Sequence, residues 1–189
     1  MKKYIAIVGT IAAGKTTAAK FLEKTYGYEI YKLTLAIYEE ADKIGVDRTD
    51  RVILQDLGDK LREELGVAAL SIKAIQRIKM NPERMYVIES IRNHNEVIKL
   101  KEELGNDLVV ISIDAPIELR YQRAVKREGQ YKEQDMTFEQ FKINDERDLG
   151  IANAENEQNV FRCMELADHK IENIGRLDEL EDKLLNLLS

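Results

Sequence analysis

The stretch from Tyr4 to Thr16 constrains the fold more than any other part of the chain. It opens with an unbroken apolar run, Tyr4-Ile-Ala-Ile-Val8, which stops at Gly9. A run without polar alternation suits a strand buried on both faces, and such strands belong to parallel sheets. From Gly14 onward Ala18, Ala19 and Leu22 fall on one side of a helix. Between strand and helix lies Gly9-Thr-Ile-Ala-Ala-Gly14-Lys15-Thr16, which matches G-x-x-x-x-G-K-[ST] at every fixed position. The glycines let the backbone curl so that successive N–H groups point inward at phosphate oxygens. The helix N-terminus adds its partial positive charge. Lys15 is then placed for β- and γ-phosphates and the Thr16 hydroxyl for Mg²⁺. A chance glycine-rich turn would need neither the strand before it nor the helix after it. The pattern predicts a P-loop that binds a nucleoside triphosphate.

The rest of the chain continues the alternation. Further strands are expected at Tyr28–Tyr31, Met85–Glu89, Leu108–Ile113 and Lys170–Glu172. A mostly helical stretch from Leu35 to Met80 carries capping candidates at Thr49 and Ser71, with stops at Gly45 and Gly66. Asn93 or Asn95 could cap a helix through Val97, Leu100 and Leu104, and Pro116 suits the first turn of the next. Leu177, Leu180, Leu184, Leu187 and Leu188 mark a final helix, while Cys163, Met164 and Leu166 read as core. Strands alternating with helices predict an α/β protein with a five-stranded parallel sheet covered on both faces. The 189 residues suit a single domain, with helical excursions at about 35–80 and 118–165.

Composition narrows the partners. A net charge of −6 argues against general affinity for nucleic acid or anionic membrane. No apolar segment approaches the roughly 20 residues of a membrane span. The single Cys163 cannot form an internal disulfide, and with no leader pattern at the N-terminus it predicts a reducing, cytoplasmic setting. Two histidines and one cysteine argue against structural zinc, and His94 and His169 read as structural or surface residues.

An acidic chain still binds anions where its positive charge is concentrated. Arg120, Arg123 and Arg127 fall at i, i+3 and i+7, which a helix places on one face. Guanidinium forks match phosphate geometry and can stabilise a transferring phosphoryl group. The alternative is a solvated face paired with Glu118, Glu128 or Glu133. Arg147, within Asn144-Asp-Glu-Arg147-Asp148, adds a further phosphate contact or forms a helical ion pair.

With the P-loop and the arginine helix in view, the chain resembles the P-loop nucleoside monophosphate kinases. In particular it is similar to the archaeal adenylate-kinase-related, deoxynucleoside monophosphate kinase and dephospho-CoA kinase-like branch. The resemblance covers nearly the whole chain and rests on five segments: Gly9–Thr17, Arg51–Arg62, Val87–Asn93, Ile113–Pro116 with the arginines after it, and Ala167–Gly175. It implies a three-layer α/β/α P-loop NTPase fold with sheet order 2-3-1-4-5, a helical acceptor-binding arm and a lid. By position, Ala12, Ala13 and Thr17 join the ATP-binding loop, and Asn173 and Gly175 border the adenine. Arg51, Gln55 and Arg62 belong to the acceptor arm, Arg92 binds the acceptor phosphate, and Arg120, Arg123 and Arg127 belong to the lid. Asn173-Ile-Gly175 also reads as a plain turn, and Gln55 as a solvated helical residue.

Two positions depart from the family. The third strand ends in Glu89 where the group commonly has Asp; a carboxylate there would face the phosphates, and it holds an Mg²⁺-bound water, contacts the acceptor, or simply caps the strand end. Dephospho-CoA kinases carry an acid just after the second strand to activate a sugar hydroxyl. Here that stretch reads Tyr31-Lys-Leu-Thr-Leu35. A hydroxyl benefits from a general base, whereas a phosphate is already an anion, so the missing acid favours a monophosphate acceptor, with Glu39, Glu40 or Glu89 as the alternative source of a carboxylate. The resemblance therefore implies an enzyme that transfers the γ-phosphate of Mg·ATP to a (deoxy)nucleoside monophosphate. The alternatives are a dephospho-CoA kinase, a kinase for another small phosphorylated metabolite, and a nucleotide-binding regulatory protein. Oligomeric state is open.

Overall fold

The structure, a computed structural model, describes residues 2–126, 136–150 and 157–188, without the side chain of Arg51. Strand β1 (Tyr4–Gly9) is buried at every position. Its alternate residues feed two cores: Tyr4, Ala6 and Val8 join one, Ile5 and Ile7 the other. That is why the run has no polar member. β1 pairs in parallel with β3 (Tyr86–Glu89) on one side and β4 (Leu108–Asp114) on the other. β2 (Glu29–Lys32) and β5 (His169–Glu172) complete a five-stranded parallel sheet in the order β2-β3-β1-β4-β5. This is the order the resemblance implied, with strand ends displaced by about one residue. β2 starts at Glu29, whose amide donates to the Met85 carbonyl at 2.9 Å, and the preceding Tyr28 is buried with its hydroxyl donating to the Lys2 carbonyl.

Helices cover both faces. α1 (Lys15–Tyr26) and α9 (Leu177–Leu188) pack Ala18, Ala19, Leu22, Leu180 and Leu184 against one. On the other lie α2 (Thr34–Ile44), α3 (Arg51–Leu65), α4 (Ala69–Lys79), α5 (His94–Leu104) and α8 (Val160–Glu165), which contribute Ile37, Leu57, Ile78, Leu100 and the fully buried Cys163. Two helices of the second excursion, α6 (Ile117–Lys126) and α7 (Phe138–Leu149), share a small core of Ile11, Ala124 and Phe141. Ile11 belongs to the loop after β1, so this core seats the two helices against that loop.

The caps correct two expectations. Asp50 caps α3, accepting from the Val52 and Ile53 amides, while the neighbouring Thr49 amide and hydroxyl donate to Asp47. Ser71 lies buried inside α4, and its hydroxyl donates to the Ala68 carbonyl at 2.9 Å. Between Asn93 and Asn95, it is Asn93 that caps α5, in a reciprocal box with Glu96. Among the described residues no helix is long and apolar enough to cross a membrane.

Candidate active site

A cleft of about 690 Å³ opens beyond the carboxyl ends of β1 and β3, where ligands of open α/β sheets bind. Its floor is the loop from Gly9 to Thr16. Gly9 has φ 137°, and a Cβ there would stand 1.9 Å from the Ile113 carbonyl oxygen of the adjacent strand. No side chain fits. Ala12 (φ 57°) and Gly14 (φ 106°) also turn left-handed, so the loop curls into the helix with its amides inward. Gly14 opens α1 without a side-chain cap, leaving the first amides of that helix for a ligand. The Lys15 ammonium donates to the Gly9 and Thr10 carbonyls at 2.7 and 2.6 Å. Thr10 is itself pinned, its hydroxyl donating to Asp114 at 2.5 Å.

Beside the loop, Thr16 Oγ1 stands 3.5 Å from Glu89 Oε1, at the outer limit of a hydrogen bond. Glu89 is 3% exposed, and its Oε2 has no hydrogen-bond partner among the described residues. Leaving a buried carboxylate oxygen without a partner is costly unless a ligand completes it. A hydroxyl and a carboxylate at this spacing fit Mg²⁺, which takes one or two protein ligands and fills its shell from phosphate and water. The next residue, Ser90, also has positive φ (68°), a strained conformation at the edge of the cleft.

The arginines separate into distinct roles. Arg123 lines the cleft, and its Nη1 is buried without a partner among the described residues. Burial lowers its guanidinium below the usual arginine value, because no described carboxylate sits close enough to offset the lost water. Arg92 also lines the cleft and pairs with Asp148 of α7. Arg120 is 5% exposed and is not among the described residues that line the cleft. It grips Asp145 with two bonds of 2.5 and 2.8 Å and donates to the Ala115 and Ile11 carbonyls. Its role is to tie α6 and α7 to the P-loop. Arg62 is likewise corrected. It is 1% exposed, bonded to Glu96 at 2.9 Å and Asp59 at 3.2 Å, and lies outside the described cleft lining.

Arg147 stands outside the cleft lining, 2.5 Å from Asp56 and 3.8 Å from Asp59 on α3. This is an ion pair between helices α3 and α7, where a phosphate contact was one expectation. Gln55 is buried, neither solvated nor in the cleft, and donates to Asp148 at 3.0 Å. Arg127 and the side chain of Arg51 lie outside the described residues.

On the far side, Asn173 and Gly175 both line the cleft. The Asn173 amide donates to the Ala13 carbonyl at 2.8 Å, and a Cβ on Gly14 would come within 2.5 Å of it. Asn173 therefore braces the P-loop from β5. Leu177 and Leu180 add an apolar shelf beside it, suited to a flat ring. Ala12, Ala13 and Thr17 line the loop side as expected. Lys20, Lys32, Thr34, Tyr38 and Arg176 complete the wall, and none of them belongs to a recognisable motif. Lys32 carried a signal nonetheless, since it ends a strand on the side where ligands bind. Among the described lining residues, six are basic (Lys15, Lys20, Lys32, Arg92, Arg123, Arg176) and one, Glu89, is acidic.

A parallel sheet in this order, with a P-loop after its first central strand and a basic cleft above it, is the fold of the P-loop kinases. The chain belongs to the AAA-domain family, whose model matches residues 5–151, and to the UPF0200 proteins. It is 31% identical over 163 residues to the UPF0200 protein of Methanosarcina mazei, a match covering 85% of this chain and 84% of that one. It is 30% identical over 188 residues to the UPF0200/UPF0201 protein of Archaeoglobus fulgidus, covering 98% of this chain and 55% of that relative. Among solved structures it is similar to a shikimate kinase from Acinetobacter baumannii in complex with shikimate, with TM-score 0.56 at 20% identity, covering 100% of this chain and 93% of the other. A gluconokinase from Sinorhizobium meliloti gives 0.55 at 15%, covering 99% and 95%. TT1252 from Thermus thermophilus gives 0.60 at 22%, covering 99% and 96%. At these identities the likeness is one of fold.

Proposed function

We propose that the protein is a Mg·ATP-dependent phosphotransferase whose acceptor is a (deoxy)nucleoside monophosphate. The observation that carries this reading is the charge of the cleft: six basic side chains face one carboxylate in a chain of net charge −6. Surplus positive charge at one place, with an arginine Nη1 buried and unpartnered among the described residues, is the arrangement that polyphosphate completes. The P-loop amides and Lys15 hold the donor phosphates, with Lys15 turning to them from the Gly9 and Thr10 carbonyls. Thr16 and Glu89 would hold Mg²⁺, which when bound would supply positive charge against the donor phosphates. Arg92 orients the acceptor. Arg123 covers the transferring group from α6 and helps keep water out.

The acceptor phosphate oxygen attacks the γ-phosphorus in line. A new P–O bond forms as the bond to the bridging oxygen breaks, and the diphosphate of the donor leaves with that electron pair. No proton need be removed from a phosphate dianion, which agrees with the absence of an acid between Tyr31 and Leu35.

A second reading has one observation in its favour. Shikimate kinases and gluconokinases phosphorylate the compounds they are named for, and a hydroxyl acceptor, dephospho-CoA included, would need a base. Glu89 is a buried carboxylate on the cleft wall with one oxygen uncommitted among the described residues. ADP release should be measured with Mg·ATP and each common nucleoside or deoxynucleoside monophosphate, with dephospho-CoA, shikimate and gluconate in the same panel. Strong stimulation by one monophosphate, with a diphosphate product by mass, is expected. Stimulation by a hydroxyl acceptor alone would transfer the base role to Glu89. Binding of ATP with no stimulation by any acceptor would indicate a nucleotide-binding regulatory protein.

A further inference from the structure

The acceptor end of the cleft holds a cation that no motif announces. β2 and β3 run side by side with Lys32 opposite Glu89 in register, so the segments leaving the two strands emerge together. Lys32 and Thr34 come from one, Ser90 and Arg92 from the other, and all four line the cleft. Lys32 Nζ lies 3.4 Å from Glu89 Oε1, beyond the 2.7–2.9 Å of a close charge-assisted bond. Its side chain is 40% exposed against 4% for Glu89. An ammonium has three donors, and one carboxylate oxygen at that distance leaves capacity for another anion. Thr34 Oγ1 is buried with no hydrogen-bond partner among the described residues, a second polar group on the same wall waiting for a ligand.

From this juxtaposition we infer that Lys32 sets acceptor specificity: its ammonium, with the Thr34 hydroxyl, binds the phosphate monoester of the acceptor that Arg92 also contacts. The inference rests on the phosphotransferase reading above and adds a residue and a charge requirement to it. Two cations on a shared dianion favour a monophosphate over an uncharged alcohol, whose hydroxyl would meet an ammonium where it needs a base. The competing role for Lys32 is as counter-ion to Glu89 alone. The two roles differ in which substrate they affect.

The test uses Lys32→Met and Lys32→Arg with the monophosphate that best stimulates the wild type. Kinetics are paired with calorimetric binding of that monophosphate in the absence of ATP, and melting temperatures confirm that both variants fold. Lys32→Met should raise KM for the monophosphate about 10- to 100-fold and weaken its binding by the same factor, with KM for ATP changed by less than about twofold. Lys32→Arg should recover most of the loss. If Lys32→Met lowers kcat or shifts the Mg²⁺ dependence while acceptor KM and binding stay put, Lys32 serves Glu89 only. The inference then fails while the kinase reading stands. If no monophosphate stimulates the wild type, the kinase reading fails and the inference falls with it.

Discussion

Between Gly9 and Thr16 the site is shaped by backbone, whereas the arginines that line it or brace the elements around it are placed by side-chain partners. The P-loop is fixed by conformations within a few residues of one another: φ 137° at Gly9, 57° at Ala12 and 106° at Gly14. For the arginines, position follows from carboxylates far along the chain. Arg120 is held by Asp145, 25 residues away, Arg62 by Glu96, 34 away, and Arg92 by Asp148, 56 away. Arginines that share one helix face thus divide by partner. Arg120 is buried against Asp145 and holds α6 and α7 to the loop. Arg123, one turn on, has a buried Nη1 with no partner among the described residues and is left for a ligand. Helical spacing places arginines on a face, and the elements packed against that face decide what each one does.

The division can be broken by substitution. Arg120→Ala should have the largest effect. It strands Asp145, 2% exposed, as a buried charge and should cost about 3–5 kcal/mol in chemical denaturation. Loss of activity in a fully stable Arg120→Ala would return that residue to the phosphate-binding set. Lys15→Ala should leave the melting temperature close to wild type while lowering turnover about 10²- to 10³-fold. Normal turnover in that variant would remove the P-loop from the chemistry. Arg123→Ala should be the mirror image of Arg120→Ala, with unchanged or higher thermal stability and turnover reduced about 10- to 100-fold. If it unfolds the protein instead, the contrast between the two arginines is wrong.

The smallest effect concerns pH. Burial pushes the Asp59 carboxyl up to about 6, against the opposing pull of Arg62 and Arg147. The folded state therefore holds this proton more tightly than the unfolded chain. Asp59 contributes stability that is complete below about pH 4 and is lost as pH rises through about 6. Relative to Asp59→Asn, the wild type should lose on the order of 1–2 kcal/mol across that window in denaturant titrations. A constant difference between the two proteins would place the Asp59 carboxyl in the ordinary range.

The same contrast explains what could be read in advance. The strands and the P-loop were legible because each rests on local signals: an unbroken apolar run in β1, a glycine where Ile113 leaves no room, a lysine and a threonine at the start of a helix; the order of the strands in the sheet came only from the family resemblance. Asn93 as a cap was legible for the same reason, its partner Glu96 being three residues away. Arg62 was misplaced because nothing near it in sequence reveals that a buried Glu96 faces it. Gln55 was misread in the same way, since its partner Asp148 is 93 residues distant. Lys32 is an intermediate case. No motif marks it, yet it stands at the carboxyl end of β2, the end of a parallel strand where ligands bind.

The most direct test of the central claim is ³¹P NMR of one reaction: wild-type protein, Mg·ATP and the monophosphate that most stimulates ADP release. The account predicts loss of the ATP γ-phosphate signal with matching growth of a new diphosphate on the acceptor, and little inorganic phosphate. Inorganic phosphate as the only new product, at a rate indifferent to the monophosphate, would contradict it and leave a nucleotide-hydrolysing P-loop protein with no acceptor in its basic cleft.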